Sequence, residues 1–185
     1  AAGAWAIRYA LGAVRNVGAD AMEKLVSLRE EEGAFASLDD LARRLPREGA
    51  NKRQLENLVK AGAFDGLHKN RRQVFEALEQ LLGQSDFYRK EAQSSQSNLF
   101  GADSVEASPV FRFSEGPDWT QSDSLKLEFE ALGVYLSSHP LDSYHAQLAK
   151  LKVTPSNQIA AAMQSQMSAR VRLAGKISAV QERVS

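Results

Sequence analysis

Apolar residues recur along this chain in short one-sided runs separated by polar or glycine-bearing corners. Ala21, Met22, Leu25, Val26 and Leu28 fall near helical spacing with Asp20, Glu23, Lys24 and Arg29 between them, so a one-sided helix is predicted after a tight Asn16-Val17-Gly18 corner. Gly33 is placed to stop it. Ser37 can cap a second helix, with Asp40 three residues on and Leu38, Leu41 and Leu45 as its buried stripe before Pro46. Asn51 caps a third helix over 52–61, with Leu55, Leu58 and Val59 facing inward and Lys52, Arg53 and Lys60 outside. Gly62 to Gly66 makes a second corner. Asn70 then caps a helix from 71 to about 82, whose stripe is Val74, Phe75, Leu78, Leu81 and Leu82.

The pattern then fades. From 84 to 117 the composition shifts to Ser, Gln, Asp and Gly, which predicts an extended, mobile connector. Inside it, the adjacent apolar pair Leu99 and Phe100 has no local core, so it needs either a return to the body or an outside pocket. A helix is predicted again over 122–132 from Leu125, Phe129 and Leu132, and a weaker one from 155 to about 163. His139 beside Pro140 has no nucleophile or metal partner nearby in sequence and reads as structural. Residues 171–180 alternate basic or polar with apolar side chains, the period of a half-buried strand. The fold class expected is therefore mainly α. It comprises a bundle of helices joined by glycine corners over 1–83, the connector over 84–117, a helical linking segment over 118–168, and the first strand of a small β domain over 169–185.

Composition narrows the setting. An apolar fraction of 43% in 185 residues supports a core. There are no cysteines and only three scattered histidines, which exclude disulfides and thiolate metal sites. No apolar run approaches the ~20 residues of a membrane span, and the first residues lack a signal-peptide layout. A cytoplasmic setting without a membrane partner is expected, and the missing start methionine reads as a piece of a longer protein.

Basic and acidic residues balance at 23 each, but their distribution does not. Between 43 and 72 nine bases face three acids, while between 101 and 145 two bases face eight acids. The basic stretch holds the second corner. Helix N-termini carry unpaired amides and the positive end of the macrodipole, and phosphate suits such a place. Two glycine corners between helices, the second beside Lys60, Lys69, Arg71 and Arg72, thus resemble a tandem helix-hairpin-helix unit that grips nucleic-acid backbone. The alternative is a helical bundle with a merely solvated basic face. Phosphate contacts would position a duplex without reading its sequence.

Gln96 to Phe100 has the spacing Gln-x-x-Leu-Phe, similar to the short peptide by which bacterial proteins plug into the replication sliding clamp. The alternative is that the apolar pair packs back on the domain.

Together IRYALGAVRNVG (7–18), NKRQLENLVKAGAFDGL (51–67), QSNLFG (96–101) and EALGVYLSSHPLDSY (130–144) resemble the alpha-subunit family of bacterial DNA polymerase III, after its palm and fingers. The resemblance covers nearly the whole chain. It implies a clamp-interacting domain with tandem hairpins on the duplex, followed by an OB domain toward single strand. Duplex contacts implied or suggested by the basic pattern are Asn16, Val17, Gly18, Lys24, Lys52, Arg53, Lys60, Gly62, Lys69, Asn70 and Arg71. The clamp peptide carries over to Gln96, Ser97, Asn98, Leu99 and Phe100, with Asn98 standing where such peptides are usually acidic. Partners implied are double-stranded DNA, the sliding clamp and other replicase subunits.

Nucleotidyl transfer needs carboxylates holding two metal ions, and no such cluster of acids is visible. The resemblance places the catalytic aspartates, and Mg2+ with them, upstream of this segment, which is expected to be non-catalytic and without a cofactor. Two alternatives stay open. One is the error-prone paralogue of the same subunit, against which the clamp-like peptide argues. The other is a helix-hairpin-helix repair enzyme using Lys24 or Asp20 on an extruded base. If the basic stretch is a backbone grip, changing Lys60, Lys69 and Arg71 to Ala weakens duplex binding across all sequences and flattens its salt dependence, as a salt titration of the affinity would read.

Overall fold

The computed structural model describes residues 9–46, 51–97, 110–164, 170–177 and 179–183. The chain forms two compact units, Ala1–Tyr135 and Leu136–Ser185. Among the described residues every regular element is helical, and no helix is long and apolar enough to cross a membrane.

The first unit begins with a 3-10 turn, Leu11–Ala13, and α1, Ala19–Glu32. Gly33, at φ 89, ends α1 in a conformation that side chains disfavour. The Arg44 guanidinium then donates to the Leu28 and Gly33 carbonyls, both at 2.9 Å, and so ties α2 to the end of α1. Helix α2 runs Leu38–Arg44, its first turn held by the Ser37 hydroxyl accepting from the Asp40 amide. Helix α3, Lys52–Lys60, opens with a reciprocal capping box in which Asn51 accepts from the Gln54 amide and Gln54 from the Asn51 amide. Helices α4, Arg71–Glu76, and α5, Leu78–Ser97, are separated by Ala77 alone. Helix α6, Gln121–Leu132, starts under the Thr120 hydroxyl and stops at Gly133, at φ 78.

The core is where these stripes meet. Leu55 and Val59 of α3, Val74 of α4, and Leu78 and Leu81 of α5 are almost wholly buried. Helix α2 lies along α5, and α3 packs on α4, α5 and α6.

Residues 84–97, expected in a mobile connector, continue α5. Leu78, Leu81, Ser85 and Tyr88 keep the helical stripe at spacings of three, four and three, but two of its members are polar and find partners on or beside α2. The Ser85 hydroxyl donates to the Leu45 carbonyl at 3.4 Å, and the Tyr88 hydroxyl to Asp39 at 2.7 Å beneath the Arg43 guanidinium. Buried polar side chains persist when they find such partners, which a hydrophobic pattern cannot register. The far end of the expected connector, 110–117, is extended but pinned to α4 and α5. Arg112 exchanges two hydrogen bonds with the Gln80 amide group, the Ser114 and Gly116 carbonyls accept from Gln73 and Asn70, and Phe113 lies 4.3 Å from the His68 ring. The linking segment expected over 118–168 also divides, because α6 belongs to the first unit.

The second unit holds a 3-10 turn, Asp142–Tyr144, and the helices α7, His145–Lys150, and α8, Ser156–Gln164. His139 organises its own turn, its amide donating to Asp142 at 2.7 Å and its ring nitrogen accepting from the Leu141 amide. The strand expected over 171–180 is absent from the described residues. The segment runs without a ladder, tied to the helical part by the Thr154 amide donating to the Arg172 carbonyl at 2.8 Å. Leu173, Ile177 and Val180 remain exposed, since an alternating pattern becomes a strand only beside a partner.

Two substitutions test the long α5. Leu78→Ala is expected to cost about 2 to 5 kcal/mol in urea unfolding, as for other fully buried leucines. Tyr88→Phe is expected to cost about 1 kcal/mol by loss of the bond to Asp39. On a solvated connector, Tyr88→Phe would be silent.

Candidate nucleic-acid interface

At the first corner, sequence order alternates inward and outward. Val14 and Val17 are buried, while Arg15, Asn16 and Gly18 are exposed. A Cβ on Gly12 would lie 3.2 Å from the Ala19 backbone, so the 3-10 turn packs tightly against the start of α1. The sharp turn itself is made by Asn16, at φ 60, and not by Gly18, which is extended at φ −75. This corrects the sequence reading: asparagine is among the few side chains that accept the left-handed region.

Gly18 nonetheless occupies the N-cap of α1, and no side chain caps that helix. In the same unit α2, α3, α4 and α6 each have a side-chain acceptor there, from Ser37, Asn51, Asn70 and Thr120. A Cβ on Gly18 would sit 3.5 Å from the Gln54 side-chain amide, which places the corner beside the first turn of α3 and therefore near Lys52 and Arg53 in sequence. Asp20 is the acid in the first turn of α1. Behind the corner lies a cavity of about 800 Å³ walled by Tyr9, Leu11, Met22, Val26, Phe35 and Phe64 among others; its lining is mainly apolar, unlike an anion pocket.

The second corner differs. Gly62, at φ 80, leaves space that the Arg71 guanidinium fills, since a Cβ there would come within 2.2 Å of it. Arg71 donates two hydrogen bonds to Asp65, at 2.8 and 2.6 Å, and lies 3.9 Å from the buried Glu128 of α6. The hydrogen bond to Asp65 holds the Arg71 guanidinium above its ordinary pKa even though burial opposes it, and the charges of Asp65, Glu128 and Asp118 add to the rise. Lys60 lies 3.6 Å from Glu130 and 5.9 Å from the centre of the Phe75 ring. Arg71 and Lys60, expected as phosphate ligands, are thus engaged in joining α6 to the corner.

The amino end of α4 is likewise filled from within. Asn70 accepts from the Gln73 amide, and the Asp118 carboxylate accepts from the Arg71 and Arg72 amides at 3.2 and 2.9 Å. Burial pushes the Asp118 carboxyl up, but hydrogen bonds from the Arg72, Trp119 and Arg71 amides and the Arg71 charge outweigh it and leave the group below its ordinary 3.8. Asn70 and Arg71 therefore serve this intramolecular contact. Asp118 was missed by the sequence reading, because an acid 47 residues from its amide partner leaves no local signal.

Of the remaining expected contacts, Lys24 is exposed on α1. Lys52 is exposed and pairs with Glu79 at 2.5 Å, which raises its pKa. Half-exposed pairs of this kind are weak and can exchange for another anion. Arg53 and Lys69 are exposed with no ion pair among the described residues. Gln96 and Ser97 close α5, while Asn98, Leu99 and Phe100 lie outside the described residues. Among the described residues no group of three or more His, Cys, Asp or Glu side chains could hold a metal ion.

Residues 2–74, which contain both corners, match a family described as a helix-hairpin-helix motif. The chain is 38% identical over 181 residues to DNA polymerase III subunit alpha of Caulobacter vibrioides, covering 97% of this chain and 15% of that relative. The protein of the same name from Rickettsia prowazekii is 36% identical over 180 residues, again 97% of this chain and 15% of the relative. The one from Saccharopolyspora erythraea is 31% identical over 185 residues, 97% and 16% respectively. The chain thus spans about 15% of the length of the curated relatives it matches.

The Asp118 carboxylate makes a pH prediction. A carboxyl whose folded pKa lies below its unfolded value stabilises above the unfolded value, and this contribution disappears as pH falls through the folded one. Asp118→Asn is expected to lower the urea midpoint at pH 6, and the gap from the unchanged chain should close as pH drops below about 3.8.

Proposed function

We propose, for a chain that belongs to the DNA polymerase III subunit alpha family and covers only a segment of it, a non-catalytic binding role in replicative DNA synthesis. The segment holds duplex DNA by its phosphate backbone and tethers the polymerase to the sliding clamp. Nucleotidyl transfer, with Mg2+, and contacts to other replicase subunits are assigned to the longer parent polypeptide, which acts in the cytoplasm.

The observation that carries the duplex reading is the uncapped amino end of α1 at exposed Gly18, inside the span that matches the helix-hairpin-helix family. Its first amides point out of a 14-residue helix, where the macrodipole favours an anion and a side-chain-free residue allows close approach. Lys52 and Arg53, in the same turn as Gln54, add charge near this corner, and Lys69 adds it at the second. The duplex grip is accordingly unequal. The first hairpin binds phosphate through backbone amides, while the second is closed by Arg71 and Asp118 and contributes surface cations alone.

For the clamp, the support is the Gln-x-x-Leu-Phe spacing of Gln96, Ser97, Asn98, Leu99 and Phe100 at the carboxyl end of α5. Gln96 supplies a polar anchor, and Leu99 with Phe100 supplies apolar surface worth roughly 1.5 to 3 kcal/mol for each side chain buried.

Because Gly18 is extended, a side chain there strains nothing in the backbone, so its effect reads as blocked approach. Gly18→Val is expected to weaken duplex binding about tenfold when measured well below its unfolding midpoint, which the poorer N-cap lowers through a loss of about 1 kcal/mol of stability. Changing Lys52, Arg53 and Lys69 to Ala should weaken binding equally for all sequences and flatten the log-log salt slope by about 0.9 for each phosphate no longer neutralised. Unchanged slopes would overturn the reading. For the clamp, changing Gln96, Leu99 and Phe100 together to Ala should abolish binding to purified sliding clamp while leaving duplex affinity intact.

A further inference from the structure

The last four carbonyls of an α-helix have no partner within it, and α6 meets this demand in an unusual way. The Phe129 carbonyl accepts from the Gly133 amide at 2.8 Å, within the helix's own cap. The other three accept from the first hairpin. Glu130 O receives Arg15 Nη1 at 3.3 Å, Ala131 O receives the Arg15 backbone N–H at 2.8 Å, and Leu132 O receives the Tyr9 hydroxyl at 3.4 Å. The guanidinium also brings positive charge to the negative end of the helix dipole. Gly133 makes room for it, since a Cβ there would lie 2.7 Å from Arg15 Nη2.

Arg15 immediately precedes Asn16, whose left-handed backbone makes the corner, and it lies between the buried anchors Val14 and Val17. The same helix also reaches the second corner, through Glu130 to Lys60 and Glu128 to Arg71. Helix α6 lies outside residues 2–74, the span that matches the hairpin family.

We propose that Arg15 is a positioning residue for the first hairpin: by closing the carboxyl end of α6 it holds Asn16 to Gly18 in the geometry that presents the first amides of α1. This deepens the reading of that corner as a backbone grip, and rests on it. Arg15 acts here through α6, and Gly133 is the permissive half of the contact.

The test uses the 185-residue chain and separates position from charge. Gly133→Ala keeps the Arg15 charge but drives the guanidinium out of its seat. Gly33→Ala imposes a similar positive-φ strain, at φ 89, with nothing within 4 Å, and is the control. Arg15→Ala removes the side-chain bond, and Arg15→Lys keeps a donor for the Glu130 carbonyl. Hydrogen exchange at the Arg15 amide and the amide coupling of Asn16 are read on the protein alone, and duplex affinity separately.

Gly133→Ala and Arg15→Ala are expected to speed exchange at the Arg15 amide and weaken duplex binding, each about fivefold, the scale of one hydrogen bond. Arg15→Lys should fall between them and the unchanged chain, and Gly33→Ala should match the unchanged chain at the corner. Exchange and coupling at the corner that are identical in all four variants would overturn the proposal, as would an equal effect from Gly33→Ala. A chain that never binds duplex would overturn the grip reading alone, because the corner measurements decide the positioning role without DNA.

Discussion

Helix α6, of 12 residues, ends on four carbonyls, and each needs a donor from beyond its last turn. Three of those carbonyls are met by residues more than a hundred positions earlier, in the Tyr9 to Arg15 stretch that leads into the first hairpin. One short helix therefore becomes the brace of a corner distant in sequence. A guanidinium also sits at the end of α1, where Arg44, above the Phe35 ring, donates to the Leu28 carbonyl of the helix and to the carbonyl of Gly33 just beyond it. In a bundle of short helices a large share of backbone groups sits at helix ends. Satisfying them fixes part of the arrangement that the apolar stripes leave open.

The demand also divides the cations. Residues 43–72 are strongly basic in sequence, yet Arg44 donates to the Leu28 carbonyl of α1, Lys60 lies against Glu130, and Arg71 fills the space that Gly62 leaves beside Asp65. The Asp118 carboxylate, from the acidic stretch that follows, sits on the α4 amides where an outside anion would otherwise be drawn. The two charged ends of the chain thus neutralise one another at the second corner. What is left exposed among the described residues is a smaller set, Arg43, Lys52, Arg53 and Lys69, together with the amino end of α1. An even basic face becomes one open hairpin and one closed one.

Much of the first unit was legible because its signals are local. Ser37, Asn51 and Asn70 cap the helices they precede, Gly33 ends α1 at positive φ, and the Leu55, Leu58 and Val59 stripe is buried as its period required. Local signals failed where partners were remote. Gln84, Ser85 and Tyr88 read as a polar tether because nothing near them in sequence shows that Leu45 and Asp39 will meet Ser85 and Tyr88. The alternating 171–180 segment failed in the opposite sense, since a period of two marks a candidate strand but cannot supply the neighbour that makes it one.

By itself the sequence determined the helical class, the positions of both corners, most of the caps, and the polymerase family through its motifs. Each of these follows from residues within a turn or two of one another, or from short runs matched intact. The tertiary structure alone decided which corner stays open, that Asn16 and not Gly18 makes the turn, and which cations are consumed in pairs. It also decided that α6 braces the hairpin. The brace and the Asp118 closure depend on contacts between residues 46 to 123 positions apart, and the choice of partner for a helix end or a buried charge exists only once the chain has brought the candidates together.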